Sequence, residues 1–105
     1  MAPKKPKVVC LCGSTQFKDA FIKANKEATL AGYIVLSVGF FVHTDDTPIS
    51  KKQKAALDEL HLRKIDLADG IMVLNVGGYI GESTSREITY ALEHGKVVTF
   101  LEGDC

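Results

Sequence analysis

The chain has 105 residues, 46% of them hydrophobic and 25% charged, and its 13 basic and 13 acidic side chains cancel to a formal charge of zero. That size and balance fit one globular domain over 1–105, and they exclude a general nucleic-acid polymer binder, which needs a basic surface to release counterions. The apolar stretch that follows the basic residues 1–7 is too short for a signal-peptide core or a bilayer span. The expectation is a cytoplasmic protein with no membrane contact and a flexible basic tail at 1–6.

In chain order, the first apolar run, 8–12, does not alternate apolar with polar and therefore reads as a strand covered on both faces. Cys10 and Cys12 read as small core residues of that strand, because there is no CxxC spacing and no remote Cys/His set to support a metal. Gly13, Ser14 and Thr15 then form a small-residue turn into a helix. In that helix Phe17, Ala20, Phe21, Ala24, Ala28 and Ala31 follow the 3.6-residue period, and Gly32 stands where the C′ residue belongs.

A second strand, 34–38, leads into a patternless connection at 39–48, long enough to be functional. Phe40 and Phe41 in it read either as core or dimer packing or as the lining of a pocket. His43, Asp45 and Asp46 are too few for a metal site. Ser50 is placed as N-cap of a second helix that passes Leu57, Leu60, His61, Lys64 and Ile65 and ends near Leu67. Asp66 and Asp69 read as helix-end or turn acids, with Asp69 and Gly70 forming a turn. A third strand at 71–76 precedes a third helix that starts near Ser83 or Thr84, buries Ile88, Ala91 and Leu92, and stops at Gly95. A fourth strand at 97–101 follows.

The order β-α-β-α-β-α-β predicts an α/β fold in three layers: a flavodoxin-like parallel sheet of four strands, or five, ordered 2-1-3-4, with helices on both faces. In such sheets ligands bind outside the carboxyl ends of the strands where the order reverses, here between the first and third. The candidate site is therefore Gly13, Ser14 and Thr15 together with the 77–87 loop, two helix starts whose free N–H groups suit a sugar or a phosphate. Each feature also has a plain alternative. Gly13, Ser14 and Thr15 could be only a cap, Thr84 and Glu87 fit a capping box, and a histidine such as His61 on an apolar helix face is often a packed core residue.

Three segments nevertheless resemble the nucleoside 2-deoxyribosyltransferase superfamily, which includes the 2′-deoxynucleoside 5′-phosphate N-hydrolases. They are 12–15, 61–69, and 78–91 with its Glu-Ile-x-Tyr-Ala ending, and the likeness covers nearly the whole chain. The resemblance implies Glu87 as a nucleophile that attacks the anomeric carbon to give a covalent glycosyl-enzyme, with Tyr90 orienting it and the helix N-terminus keeping it ionised. It further implies substrate contacts from Cys12, Gly13, Ser14, Thr15, Phe17, Gly78, Tyr79, Gly81, Ser83 and Ser85, with no cofactor and no metal. The chain departs from the pattern twice. His61 stands where members similar to it carry an aspartate that assists the leaving base, and Gln16 where the nucleotide hydrolases carry an arginine near the phosphate.

The expectation is thus an N-glycosidic enzyme acting on a nucleoside or nucleoside 5′-monophosphate, with Glu87 as nucleophile and His61 as acid or base-orienting group. The alternatives are a non-catalytic nucleotide-binding sensor using the same cleft and a structural dimerisation domain. A homodimer or higher homo-oligomer is expected, since a thin sheet leaves Phe40, Phe41 and Tyr79 to be covered.

Overall fold

A computed structural model of the chain describes residues 5–42, 45 and 47–103. His43 and Asp46, weighed above as metal ligands, and residues 1–4 of the basic tail lie outside the described residues. The elements are β1 (Val8–Cys12), α1 (Lys18–Leu30), β2 (Ile34–Leu36), α2 (Lys51–Leu67), β3 (Gly70–Val73), α3 (Glu82–Glu93) and β4 (Val97–Phe100), with a short 3-10 turn at Val76–Gly78. The strands form one parallel sheet in the order β2-β1-β3-β4, the α/β arrangement expected from the sequence.

Alternation along the two central strands divides the core. Cys10 and Cys12 of β1 and Ile71 and Val73 of β3 pack with Ile65 of α2 and Ala91 of α3. Leu11 of β1 and Leu74, just past β3, pack with Phe21 and Ala24 of α1 on the opposite face. Successive strand residues point to opposite faces, so each of these two strands feeds both helical layers, whereas the edge strand β4, nearly as apolar in sequence, leaves Val97 exposed. No described helix is long and apolar enough to cross a membrane.

Several boundaries differ from the sequence expectation, each for a local reason. β2 stops at Leu36 rather than at 38, and the Ser37 carbonyl accepts a bond from Lys64 Nζ at 2.7 Å. β3 ends at Val73, not at 76, because Asn75, wholly buried, turns the chain: its amide donates to the Glu102 carbonyl (2.8 Å) and its oxygen accepts from the Glu102 N–H (2.9 Å). Gly70 is no turn residue but the first residue of β3, paired with both Val9 and Val97. A Cβ there would stand 2.7 Å from the Val97 carbonyl oxygen, so only glycine lets β4 approach so closely. Asp69 ties the strand entrance down, its carboxylate accepting from the Val8 N–H at 2.7 Å.

The helix starts matter more for function. Ser50 caps α2 as expected, in a reciprocal capping box with Gln53. α1 begins only at Lys18, after a turn closed by the Phe17 N–H on the Ser14 carbonyl (3.1 Å), and its N-cap Phe17 makes no side-chain cap bond. α3 begins at Glu82 behind Gly81, earlier than Ser83 or Thr84. Glu87 therefore lies beyond the first turn and cannot be the third residue of a capping box, and Thr84, expected as its partner, is buried inside the first turn. Leu92, expected in the core, is 62% exposed, because the inner face of α3 is carried by Thr84, Ile88 and Ala91.

Candidate active site

At the carboxyl ends of β1 and β3 the crossovers leave in opposite directions, and a cleft of about 600 Å³ opens between the β1 turn, α2 and the start of α3. Gly13, Ser14 and Thr15 form one wall, and Gly81, Ser83, Thr84 and Glu87 another. His61 enters from α2, whose inner stripe Lys54, Asp58, His61 and Ile65 follows the helical period. Two separate loops and the middle of a long helix thus face one space. Gly13 permits the tight approach at its base, since a Cβ there would come within 3.2 Å of Leu74.

Of the residues expected to contact a ligand, Gly13, Ser14, Thr15, Gly81, Ser83, Glu87 and His61 are brought together in this cleft. Cys12 lies beneath it, fully buried, with its sulfur 3.6 Å from His61 Nε2. Phe17 and Tyr79 do not line the cleft; they pair edge to face at 6.0 Å, with Gly78 exposed beside Tyr79. Ser85 is exposed and lines a second, smaller depression with Arg86, Thr89 and Tyr90. Tyr90 does not orient Glu87 through its hydroxyl, which donates to Asp66 (2.6 Å) and accepts from Arg63 (3.0 Å), while the ring stacks on His94. The Asp66 bond pushes the phenol up from its ordinary value.

The two open questions about aromatic residues separate cleanly. Phe40 lines the cleft, whereas Phe41 packs against Phe21 at 5.5 Å and joins the core over α1. The reason for expecting Phe41 to need cover from a second copy therefore falls away. Asp45, once grouped with metal candidates, instead holds Lys18 at 3.0 Å and the Phe41 N–H at 2.9 Å.

Below the cleft lies a cluster that the sequence reading did not anticipate. His61 Nε2 is 3.5 Å from Cys10 Sγ, 3.6 Å from Cys12 Sγ and 3.1 Å from the Leu11 carbonyl oxygen. A remote Cys/His set does exist, contrary to expectation. The signal for it was the spacing of two in β1, which puts both thiols on the face that α2 covers.

The electrostatics follow from burial and proximity. The hydrogen bond from Cys12 pulls the Cys10 thiol down to about 5, with His61 adding to the effect against the cost of burial. Cys12, as the partner in that bond, is pushed well up. Burial alone would lower His61, but its bond to Cys10 and the negative charges of Cys10 and Glu87 outweigh it and hold the imidazole above its ordinary value. Glu87, which also interacts with Cys12, is held above the ordinary carboxylate range, first by burial, with His61 opposing. The expectation that a helix N-terminus keeps Glu87 readily ionised is thus opposed by burial, and Glu87 lies beyond the first turn of α3.

Sequence reasoning also missed the charge on α2. Lys54 Nζ bonds Asp58 one turn along α2 (2.8 and 2.9 Å) and Ser83 Oγ of α3 (3.2 Å), and Lys51 and Lys64 line the same space. These lysines give the cleft a positive charge, while Gln16 does not line it. Their signal was the stripe at 54, 58, 61 and 65, which shares a face with His61. In comparisons with known proteins, no family model and no curated protein matches this chain.

Proposed function

We propose that the protein cleaves or transfers the N-glycosidic bond of a (deoxy)nucleoside or nucleoside 5′-monophosphate in this cleft. The observation that carries the reading is the convergence of Glu87 and His61, both perturbed by burial, on one concave space at the strand-order reversal. A volume of about 600 Å³ suits a nucleoside-sized ligand. Lys51 and Lys54 at the mouth, with Ser14 and Ser83, give a 5′-phosphate both charge and hydrogen-bond donors.

In this mechanism the Glu87 carboxylate attacks the anomeric carbon while the bond to the base nitrogen breaks, through an oxocarbenium-like transition state. The imidazolium of His61 passes its proton to the departing base. The product is a glycosyl ester on Glu87 and a neutral histidine. Water then attacks the same carbon, gives its proton to His61 and releases the carboxylate, or a second base takes the sugar instead. The raised value suits His61, because a general acid works best with a pKa near the operating pH, while Glu87 must be ionised to attack and its raised value sets the acid limit of the reaction.

Release of free base from a panel of nucleosides and monophosphates tests the proposal, together with a Glu87→Ala variant checked for intact fold by circular dichroism. Release that persists in the variant overturns Glu87 as nucleophile. Mass spectrometry after exposure to 2-fluoro nucleosides is expected to find a covalent adduct on Glu87.

One observation favours a second reading, a sensor that binds nucleotide without turnover. His61 Nε2 is already engaged with the Leu11 carbonyl and two thiols, an arrangement that holds a ring in place as well as it serves proton transfer. Saturable binding by calorimetry without base release, retained in Glu87→Gln, is its signature. Either reading includes a homo-oligomer, for which Leu92 on α3 and Val97 on the edge strand β4 offer exposed apolar surface. Sedimentation of the purified chain measures it.

A further inference from the structure

We propose that Cys10, Cys12 and His61 form a binding site for a single thiophilic divalent ion of the zinc class, joining β1 to α2 beneath the cleft.

The three donor atoms, Cys10 Sγ, Cys12 Sγ and His61 Nε2, all lie within 4.8 Å of one another. The two sulfur-to-nitrogen distances are 3.5 and 3.6 Å. Zinc bonds sulfur at about 2.3 Å and imidazole nitrogen at about 2.0–2.1 Å, so the S···N edge of a tetrahedron around it is close to 3.6 Å. Both observed edges have that length. The donors come from a strand and a helix that pack face to face, which fixes their spacing without any loop. Two thiolates and an imidazole select a soft or borderline ion and disfavour magnesium and calcium, which require oxygen ligands.

Burial defines what else the site can be. Both cysteines are wholly buried and His61 is 7% exposed, so the donors lie in the interior, and the route in is the cleft that His61 and Glu87 line. The fourth position of the tetrahedron is left for a water entering from the cleft or for the carboxylate of Glu87, which lines that cleft with His61. Loading releases to solvent the Cys12 thiol proton, any proton still on Cys10 and the Nε2 proton that the Leu11 carbonyl accepts, and the Nε2 lone pair goes to the ion. An ion on Nε2 also prevents His61 from becoming the imidazolium that protonates a leaving base in the proposed reaction. Metal loading and base release are then mutually exclusive, and the site acts as an inhibitory one on the proposed reaction. Ion binding itself does not rest on that reaction and is measured without it.

The competing description is a packed core in which His61 donates to Leu11 O at 3.1 Å and the thiols only fill space. The full chain, reduced and stripped with a chelator, is titrated with Co²⁺ and then with Zn²⁺. One equivalent of cobalt is expected to give the thiolate-to-metal charge-transfer band and the visible bands of a tetrahedral ion, and one equivalent of zinc to abolish them. X-ray absorption of the zinc-loaded wild-type protein should show two sulfur neighbours at about 2.3 Å and lighter neighbours at about 2.0–2.1 Å. Cys12→Ser and His61→Gln should each weaken zinc by more than the roughly 10–100-fold that follows loss of an outer-shell partner. Cys105→Ser should leave the affinity unchanged. Absence of the charge-transfer band in the folded wild-type chain, or its survival in Cys12→Ser, or its loss in Cys105→Ser, overturns the proposal. The wild-type spectra decide the matter even where a core variant fails to fold.

Discussion

Replacing Gly70 by alanine tests how closely β3 and β4 approach, and hence the sheet on which the cleft is built. The added methyl would stand 2.7 Å from the Val97 carbonyl oxygen and 3.1 Å from its Cβ, where ordinary contacts begin at 3.4 Å. The obstacle is backbone, so relief requires β4 to retreat by more than half an ångström along a ladder that also pairs Ile71 with Val98 and Met72 with Thr99. Overpacking of this kind costs about 1–3 kcal/mol. Loss of glycine's freedom in the unfolded chain returns about 0.4–1 kcal/mol. A net loss of about 1–2 kcal/mol, at roughly 4–8 °C per kcal/mol for a domain near this size, lowers the melting temperature by about 5–15 °C. Thermal unfolding followed by circular dichroism reads the shift, and urea unfolding should show a lower midpoint at unchanged slope. Gly39→Ala is the matched control, because nothing stands within 4 Å of a Cβ there. Equal melting of the two variants would refute the close β3 to β4 approach.

The remaining predictions concern the site and its supports. In chelator, kcat/KM for base release should be bell-shaped. Glu87 acts ionised, so the acid limb falls as pH drops through a pKa above the ordinary carboxylate value, and His61 acts protonated, so the alkaline limb falls as pH rises through one above the ordinary imidazole value. Lys64 lowers His61, so Lys64→Met should move the alkaline limb upward; a downward move contradicts the assignment. Lys54 is half exposed, which places its attraction for a phosphate at the weak end, about 1 kcal/mol, or roughly fivefold. Lys54→Met should therefore lower kcat/KM for a monophosphate about fivefold while sparing the nucleoside, and an unchanged ratio removes Lys54 from the phosphate. Ser50→Ala deletes the acceptor of the Gln53 N–H and should cost about 1 kcal/mol in denaturant unfolding, whereas no loss would mean that the capping box contributes nothing.

Much of this architecture was legible in the order of residues. The run at 8–12 is apolar on every residue and its strand is covered on both faces, whereas 97–101 is nearly as apolar yet belongs to the edge strand β4, whose Val97 is exposed. Ser50 and Gln53 announce the start of α2, and Gly32 follows the C-cap of α1 as the spacing requires. With helices on both faces, right-handed crossovers make 2-1-3-4 the simplest strand order, and the sheet has it, with the cleft at the reversal between β1 and β3. These features are local or periodic, so each is written within a few turns of chain.

What the sequence could not decide is which groups meet across the fold. Thr84 and Glu87 have the spacing of a capping box, yet the helix starts at Glu82, and Glu87 is carried inward to His61 and Cys12. Tyr90, one turn from Glu87, is captured by Asp66 and Arg63 on another helix. Cys10 and Cys12 are small core residues as their strand suggests, but only the packing of α2 lays His61 across both. Periodicity names the face of an element on which a residue sits. The residue opposite, separated here by 51 positions for Cys10 and His61, is chosen only when strand and helix pack, because distance in space and not in sequence sets burial, proton affinity and the spacing of donor atoms.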